Sequence, residues 1–439
     1  MRVGVISLGC PKNLVDTEVM LGELVKAGHQ LTQKAQEADI LIVNTCAFIE
    51  SARREAEEEI SKLKHYKKKY LIVAGCYSNL IKQDLFIKFP FIDGIIGCGS
   101  VDRIAELIDK LKLNSKISLL QGTSYIGDQE SVIKATPFYS AYVKIADGCD
   151  QRCSYCLIPQ IRGPYKSRKM GSIIREVRSL VKKGVVEINL IAQDSARYGL
   201  DIYKAPKLAL LLEKLAKIEK LRWIRVLYAN PWYITDELLK TISENDKLCK
   251  YLDMPIQHGS EKILKLMGRG NSIKKIKEII GKIRELSPKV TLRSTFIVGF
   301  PGETGEDFKK LLDLLKELKL DRVGIFEYSR EKGTKAAQMR GQVPKPISRK
   351  RYEKAMELQS QISKDINRKY IGDTLEVLIE GKVSDEPSLY KARSFRDAPD
   401  IDGAVIVHGN DFQPGEMINC RITDAAEHDL TGEEIHVAA

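Results

Sequence analysis

The chain has 439 residues, 43% of them hydrophobic, and a formal net charge of +12. This length is sufficient for two or three domains with buried cores. No stretch approaches the roughly 18 uninterrupted apolar residues of a transmembrane helix, so we expect no membrane partner. The apolar run before Cys10 is too short for a secretory signal, and nine scattered cysteines, an odd number, predict a reducing cytoplasmic location.

Residues 1–116 are expected to form a doubly wound α/β domain. Short apolar runs alternate there with amphipathic or charged stretches, which is typical of a parallel sheet that helices cover on both faces. The predicted strands are 3–8, 40–44, 70–74 and 92–96, and the predicted helices are 14–26 and 50–65.

Cys10, Cys46 and Cys76 each lie one or two residues past the end of a predicted strand. The carboxyl ends of parallel strands share one edge of a sheet, where ligands collect, so these thiols are expected to converge on an iron–sulfur cluster. Two alternatives stay open. Buried cysteines are also ordinary small hydrophobic residues, and Cys98, which follows the fourth apolar run, could replace Cys76 as the third ligand.

The most informative motif of the chain is the run that holds Cys149, Cys153 and Cys156 with the spacing C-x-x-x-C-x-x-C. Three thiolates can hold three irons of a four-iron cluster and leave the fourth iron open to a substrate. Three alternatives are weaker. A zinc site needs a fourth ligand, and no histidine lies between His65 and His258; a disulfide would leave one cysteine over; and the clustering could be chance.

Residues 135–365 are expected to form a (β/α) barrel or an open part of one, after a polar linker at 121–136. Active sites of such barrels are built from the loops that follow the strands. Six apolar runs predict the strands: 141–146, 186–192, 223–228, 251–256, 292–298 and 323–328. The cysteine loop follows the first run, and polar or glycine-rich groups follow the next four at 193–194, 230–231, 257–259 and 299–303. Each group alone is compatible with ordinary turn chemistry, so only their shared position argues for a site.

The last part of the chain changes character. A long polar helix is predicted at 349–370, and residues 370–439 alternate short β-rich runs with turn residues, which predicts a small antiparallel barrel. Its predicted strands are 374–379, 404–407 and 417–422. This tail has 5 Lys and Arg against 15 Asp and Glu, a balance of −10, which leaves +22 on the rest of the chain.

The cysteine motif, with Tyr155 before Cys156, resembles that of radical S-adenosylmethionine enzymes. The N-terminal cysteine domain and the tail, which resembles a TRAM domain, narrow the resemblance to the methylthiotransferases. Residues 7–13, 74–76 and 295–304 also resemble signatures of that family, so the resemblance covers nearly the whole chain. The match at 74–76 favours Cys76 over Cys98.

The resemblance implies two 4Fe-4S clusters and S-adenosylmethionine as cofactors. The metal ligands would be Cys10, Cys46, Cys76, Cys149, Cys153 and Cys156, with no catalytic residue beyond them. Asp194, Gln257 and Arg293 are expected to contact the ribose or carboxylate of S-adenosylmethionine because they lie at or near strand ends. Tyr155 is expected to pack against its adenine, and Gly299 is a further expected cofactor contact. The alternative is that these residues are structural and that Tyr155 is an ordinary loop aromatic. Arg162 and Arg168, in the loop after the cluster motif, are expected either to meet the substrate or to be solvated.

Two branches of the family differ in substrate. One modifies an adenosine beside the tRNA anticodon, and the other modifies the β-carbon of an aspartate of ribosomal protein S-twelve. Residues 11–13 and 393–403 resemble the protein-modifying branch. The acidic tail agrees, because phosphate repels acidic surfaces and a ribosomal protein is basic. We therefore expect transfer of a methylthio group to this protein, free or within the small ribosomal subunit.

The tRNA-modifying branch is the first alternative, and a two-cluster electron carrier without catalysis is the second. The large predicted barrel speaks against a simple carrier. The resemblance also implies an electron donor and a sulfur source without identifying either.

Overall fold

The N-terminal region is a parallel sheet of six strands. The computed structural model describes residues 1–66, 70–127, 132–270, 272–383, 386 and 388–435. The strands are β1 (Arg2–Ser7), β2 (Gln30–Leu31), β3 (Ile40–Thr45), β4 (Tyr70–Gly75), β5 (Gly94–Ile96) and β6 (Ile117–Leu119), in the spatial order β2-β1-β3-β4-β5-β6. The helices are α1 (Pro11–Lys26), α2 (Glu50–Lys62), α3 (Cys76–Ile81), α4 (Asp84–Lys88) and α5 (Ile104–Leu113).

Strand β3 shows why this sheet is covered on both faces. All six of its residues are buried, as expected for a central parallel strand. Ile40 and Ile42 pack in the core beneath α1 and α5, whereas Leu41 and Val43 pack in the core beneath α2. The predicted doubly wound sheet is confirmed. The edge strands β2 and β6 were not predicted, since two or three residues carry too little pattern.

The central region is an open barrel of six parallel strands in two sheets. The strands are β7 (Ser140–Lys144), β10 (Glu187–Ile191), β11 (Trp223–Val226), β12 (Tyr251–Asp253), β13 (Thr291–Val298) and β14 (Arg322–Glu327). A short antiparallel pair, β8 (Ala146–Asp147) and β9 (Lys166–Ser167), follows β7. The sheets have the orders β11-β10-β7 and β12-β13-β14, and the Ala229 amide joins them by donating to the Asp253 carbonyl at 2.8 Å. The predicted partial barrel is confirmed.

Helices surround this barrel and close its core. The short helix α6 (Ile158–Arg162), in the loop after β8, instead packs in the N-terminal core through Ile161. The others are α7 (Met170–Lys182), α8 (Leu208–Ala216), α9 (Asp236–Glu244), α10 (Glu261–Leu266), α11 (Ile273–Leu286), α12 (Gly305–Leu318) and α13 (Lys345–Asn367). Thr304 and Asp307 form a capping box that fixes the start of α12. The predicted linker has neither helix nor strand in its described part, and residues 128–131 of it lie outside the described residues.

The tail is a closed barrel of five strands. They are β15 (Thr374–Lys382), β16 (Leu389–Ser394), β17 (Val405–His408), β18 (Met417–Ala425) and β19 (Leu430–Glu434), in the order β15-β16-β17-β19-β18. The β17–β19 pair is parallel and the other pairs are antiparallel. The predicted small barrel is confirmed, with β16 and β19 as additional strands.

A buried joint fixes the tail to the central barrel. Arg393 donates to both carboxylate oxygens of Glu187 at 2.9 and 2.7 Å, and Arg322 donates to Asp397 at 2.6 Å. Glu187 and Arg322 are the first residues of β10 and β14. The joint therefore lies at the strand starts, and the other end of the barrel is left for the loops that follow the strands.

Candidate functional site

Cys149, Cys153 and Cys156, called the loop cysteines below, follow β8 at the strand-end mouth of the central barrel. Gly148 precedes them with φ +77°, in the left-handed region that favours glycine. The Gln151 and Ile158 amides donate to the sulfurs of Cys149 and Cys156, each at 3.4 Å. Backbone donors of this kind stabilise thiolates, so the loop suits a metal cluster.

Burial disfavours the thiolate form of two of the loop cysteines, Cys149 and Cys156. It raises the pKa of Cys149 to about 11 and that of Cys156 to about 12. Metal binding must therefore displace protons, as is usual for thiolate ligands. The Arg269 guanidinium lies 4.0 Å from the Cys153 sulfur and supplies positive charge there.

Cys10, Cys46 and Cys76, called the sheet-edge cysteines, follow β1, β3 and β4. Asn13 touches all three loops. Its side-chain amide donates to the Leu8 carbonyl at 3.1 Å and to the Thr45 carbonyl at 2.8 Å, and its Oδ1 lies 3.4 Å from the Cys76 sulfur. The sheet edge therefore brings together thiols that are separated by tens of residues, as the strand-end rule predicts.

Glycines allow the sheet-edge loops to approach each other. Gly9 has φ +88° and Gly75 has φ +92°. A Cβ on Gly9 would lie 2.6 Å from the Cβ of Cys46, closer than side chains tolerate. The loop of Cys10 thus rests directly on Cys46, and a larger residue at position 9 would separate them.

Cys98 lies beside the sheet-edge cysteines but behind Cys76. Its thiol donates to the Cys76 sulfur at 3.9 Å, and it is fully buried. This hydrogen bond and the positive charge of Arg162 lower the pKa of Cys76 to about 7, although burial alone would raise it. Burial, and then the neighbouring Cys76, raises the pKa of Cys46 to about 11. The position of Cys76 toward Asn13 favours it over Cys98 as a ligand.

A buried charge network joins the two sets of cysteines. Arg162, at the end of α6, donates to the Cys76 sulfur at 3.3 Å, to Asp16 at 2.7 Å and to Asp147 at 3.0 Å. Lys144 donates to the same two carboxylates at 2.5 and 3.1 Å. Asp147 directly precedes Gly148 and the loop cysteines. Burial opposes its charged form, yet Lys144 and Arg162 hold the pKa of Asp147 far below its usual range.

The structure excludes solvation, one of the two alternatives expected for Arg162 and Arg168. Both are 1% exposed, so neither is solvated. Arg168 pairs with Glu176 at 2.6 Å and donates to the Lys144 carbonyl at 2.8 Å. Two basic residues in a loop suggested a surface, but only the fold shows the carboxylates that neutralise them.

Asp194 has the properties of a ligand-binding residue. It follows β10 at the barrel mouth, is 2% exposed, and its Oδ2 has no hydrogen-bond partner among the described residues. Burial raises its pKa to about 6. A buried carboxylate oxygen without a partner is suited to receive a donor from a bound molecule.

Three further predicted contacts lie at the same mouth. Gln257 has φ +79°, which is unusual for a residue other than glycine. Its backbone N–H donates to the Thr295 carbonyl at 2.8 Å. Tyr155 packs edge-on against Phe300, with ring centroids 6.4 Å apart. Gly299 has φ +74° and lies against Ser348, where no side chain fits. Their roles toward a cofactor stay predictions.

Arg293 lies elsewhere. It is the third residue of β13 and donates to Asp253 at 3.0 Å and to Asp402 of the tail at 3.3 Å. The Arg293 guanidinium is thus bound by two carboxylates, one of which belongs to the tail. This placement favours a structural role for Arg293.

The sequence reasoning missed Asn13, Asp16, Lys144, Asp147 and Arg269. Of these, only Arg269 stands in a visible sequence pattern, an arginine between two glycines, Gly268 and Gly270. In the structure, Gly268 lies against the Arg152 backbone of the cysteine loop. Within the described ranges, no three His, Cys, Asp or Glu side chains lie close enough to share a single metal ion. The cluster prediction does not require this, because each thiolate binds a different iron.

Family models match three parts of the chain: the radical SAM superfamily at 143–315, the uncharacterized protein family UPF0004 at 2–97, and the TRAM domain at 371–435. A ribosomal protein uS12 methylthiotransferase RimO of Pelotomaculum thermopropionicum is 46% identical over 99% of both chains. One of Geobacter sulfurreducens is 45% identical over 99% of this chain and 98% of its own. The chain belongs to the uS12 methylthiotransferase family. The predicted family resemblance is confirmed.

The fold is also shared with a solved structure. The radical S-adenosylmethionine methyltransferase TsrM of Kitasatospora setae, with cobalamin and a [4Fe-4S] cluster bound, has a TM-score of 0.57 and 14% identity; the match covers 89% of this chain and 80% of that chain. As a member of the radical SAM superfamily, this methylthiotransferase uses an iron–sulfur cluster and S-adenosylmethionine. Among the described residues, no helix is both long and apolar enough to cross a membrane.

Proposed function

We propose that this protein replaces a hydrogen on the β-carbon of an aspartate of ribosomal protein uS12 with a methylthio group, in the cytoplasm. The single observation that supports the proposal is the contact set of Arg162, which donates to Cys76 and Asn13 at the sheet edge and also to Asp147, two residues before the first loop cysteine. The uS12 methylthiotransferases to which the chain is similar over its whole length support the substrate.

The proposal divides the work among three domains. Residues 1–116 would hold one 4Fe-4S cluster on the sheet-edge cysteines, and residues 135–365 would hold a second on the loop cysteines. When bound, these clusters and S-adenosylmethionine would supply radical hydrogen abstraction and methylthio sulfur. Residues 370–439 would contact the substrate.

The chain's own residues would position the reactants and exclude water. Asp194, Tyr155, Gln257 and Gly299 surround the mouth beside the loop cysteines and would bind S-adenosylmethionine. Asp194 would accept a hydrogen bond on its unpartnered Oδ2. The Arg162 network would keep the two cysteine sets in fixed register, since its charges are buried and mutually satisfied.

The tail offers an acidic surface to a basic protein. Asp397 and the side chain of Asp402 are buried in the joint, but so are Arg393 and Arg396, and the balance of charge is unchanged. Six exposed carboxylates have no ion-pair partner among the described residues: Asp411, Glu416, Asp424, Glu427, Asp429 and Glu433. Such a surface repels RNA and attracts a ribosomal protein.

The test uses anaerobically reconstituted, chemically reduced protein with S-adenosylmethionine and a sulfide source. It is incubated with uS12, with small ribosomal subunits or with tRNA, and peptides and nucleosides are then weighed. We expect one methylthio group on one uS12 aspartate and none on tRNA. A methylthioadenosine in tRNA with unmodified uS12 would reverse the assignment. Failure of reduced protein to release 5′-deoxyadenosine would instead support an electron carrier.

A further inference from the structure

Lys12 is a buried cation without a carboxylate partner. It is one of two lysines less than 9% exposed among the described residues; the other, Lys144, contacts two carboxylates within 3.1 Å. The Lys12 residue as a whole is 8% exposed, and no carboxylate of the described residues lies within 4.0 Å of its ammonium. A buried charge that lacks a counter-ion is costly, so a bound anion would complete this site.

The surroundings of Lys12 hold it in place without neutralising it. Its Nζ lies 3.4 Å from the Ala192 carbonyl and 3.9 Å from the centroid of the Tyr228 ring. Tyr228 has φ +63°, and its amide donates to Asp253 at 2.9 Å, which fixes the ring beneath the ammonium. A carbonyl and an aromatic face orient an ammonium, yet neither carries a full negative charge.

The position of Lys12 is between the two parts of the site. It lies in the first turn of α1, two residues after Cys10 of the sheet-edge cysteines. Its ammonium reaches across to Ala192, which directly follows β10 and lies two residues before Asp194. Lys12 therefore comes from one domain and ends at the barrel mouth of the other.

We propose that Lys12 binds the side-chain carboxylate of the target aspartate and so places its β-carbon between the two cysteine sets. This inference rests on the proposed function, in which that β-carbon must meet groups held by both sets. The carboxylate is bonded directly to the β-carbon, so an ammonium between the sets is suited to hold it. Lys12 would thus select aspartate over asparagine.

Binding is measured without turnover, on oxidised, fully reconstituted protein with S-adenosylmethionine. The probes are fluorescently labelled uS12 and the same protein with the target aspartate changed to asparagine, the target being the residue modified by wild type. We expect wild type to bind the aspartate form at least about tenfold more tightly, the range of a hydrogen bond between charged groups. Lys12→Met should bind both forms equally, and Lys12→Arg should keep part of the preference.

The matched control is Lys26→Met, at the other end of α1, where the lysine is exposed and pairs with Glu23. It should behave as wild type. Iron content, the electron paramagnetic resonance of the reduced clusters and the affinity for S-adenosylmethionine are measured on every variant and should not change. An unchanged preference for aspartate in Lys12→Met would overturn the inference. If that variant also binds S-adenosylmethionine more weakly or has an altered cluster spectrum, the anion that Lys12 contacts is the cofactor or the cluster. If wild type modifies no uS12 at all, the proposed function itself fails.

Discussion

The loop cysteines and the sheet-edge cysteines bring three thiols together in two different ways. The loop cysteines lie within eight residues, 149–156, and their shape comes from one local turn with two amide-to-sulfur hydrogen bonds. The sheet-edge cysteines come from three strand ends that are held together by Asn13. A local motif tolerates changes elsewhere in the fold, whereas a set assembled by a sheet depends on every element that positions it.

The largest expected effect is that removing the loop cysteines abolishes cleavage of S-adenosylmethionine, whereas removing the sheet-edge cysteines does not. Changing all three loop cysteines to Ala should remove about half of the iron, from about eight irons per chain, and abolish cleavage of S-adenosylmethionine. Changing all three sheet-edge cysteines to Ala should remove the other half but leave cleavage in part. Iron analysis and release of 5′-deoxyadenosine check this. Only about four irons in reconstituted wild type would contradict the two-cluster proposal.

A second comparison concerns the two adjacent thiols of the sheet edge. Cys76→Ala should lose the sheet-edge cluster, about four irons per chain, because Cys76 faces Asn13 and Arg162. Cys98→Ala should keep the iron of wild type, since its thiol lies behind Cys76. If Cys98→Ala loses the cluster and Cys76→Ala keeps it, the third ligand is Cys98 and not Cys76.

The network that joins the two sets should matter for stability. Arg162→Met leaves Asp16 and Asp147 with one fewer buried cation, and breaking such a network costs about 3–5 kcal/mol. Arg54→Met, an exposed helix arginine paired with Glu58, is the control and should cost less than about 0.5 kcal/mol. Urea unfolding of cluster-free protein measures both. Equal midpoints would show that the network does not stabilise the fold.

The smallest expected effect is a pH dependence at the barrel mouth. Burial raises the pKa of Asp194 from 3.8 to about 6, so between these values the folded chain holds a proton that the unfolded chain has released. Stability should therefore fall as pH rises from 4 to 6, by about 3 kcal/mol from this group, and stay lower above it. Asp194→Asn should remove this fall in cofactor-free protein.

Thermal melts of both proteins at several pH values measure the difference. Parallel profiles for wild type and Asp194→Asn would mean that Asp194 is not held protonated by its surroundings.

The sequence by itself determined the elements that depend on local pattern. Alternating apolar runs predicted the central strands of the sheet and all six barrel strands, and strand-end positions predicted the convergence of Cys10, Cys46 and Cys76. These predictions succeed because period, turn chemistry and the common edge of parallel strands are properties of short segments. The two-residue strand β2 has no such pattern, and it was missed.

Only the tertiary structure decided which charges meet. Arg162 and Arg168 are both buried, Arg162 against Asp16 of a distant segment and Arg168 against Glu176 of the helix that follows it. Arg293 pairs with Asp402 across the joint to the tail. Lys12 is the opposite case, a buried cation that finds no carboxylate among the described residues. Pairing between charges depends on distances across the fold, which a linear pattern does not contain, so the partners became visible only once the domains were packed.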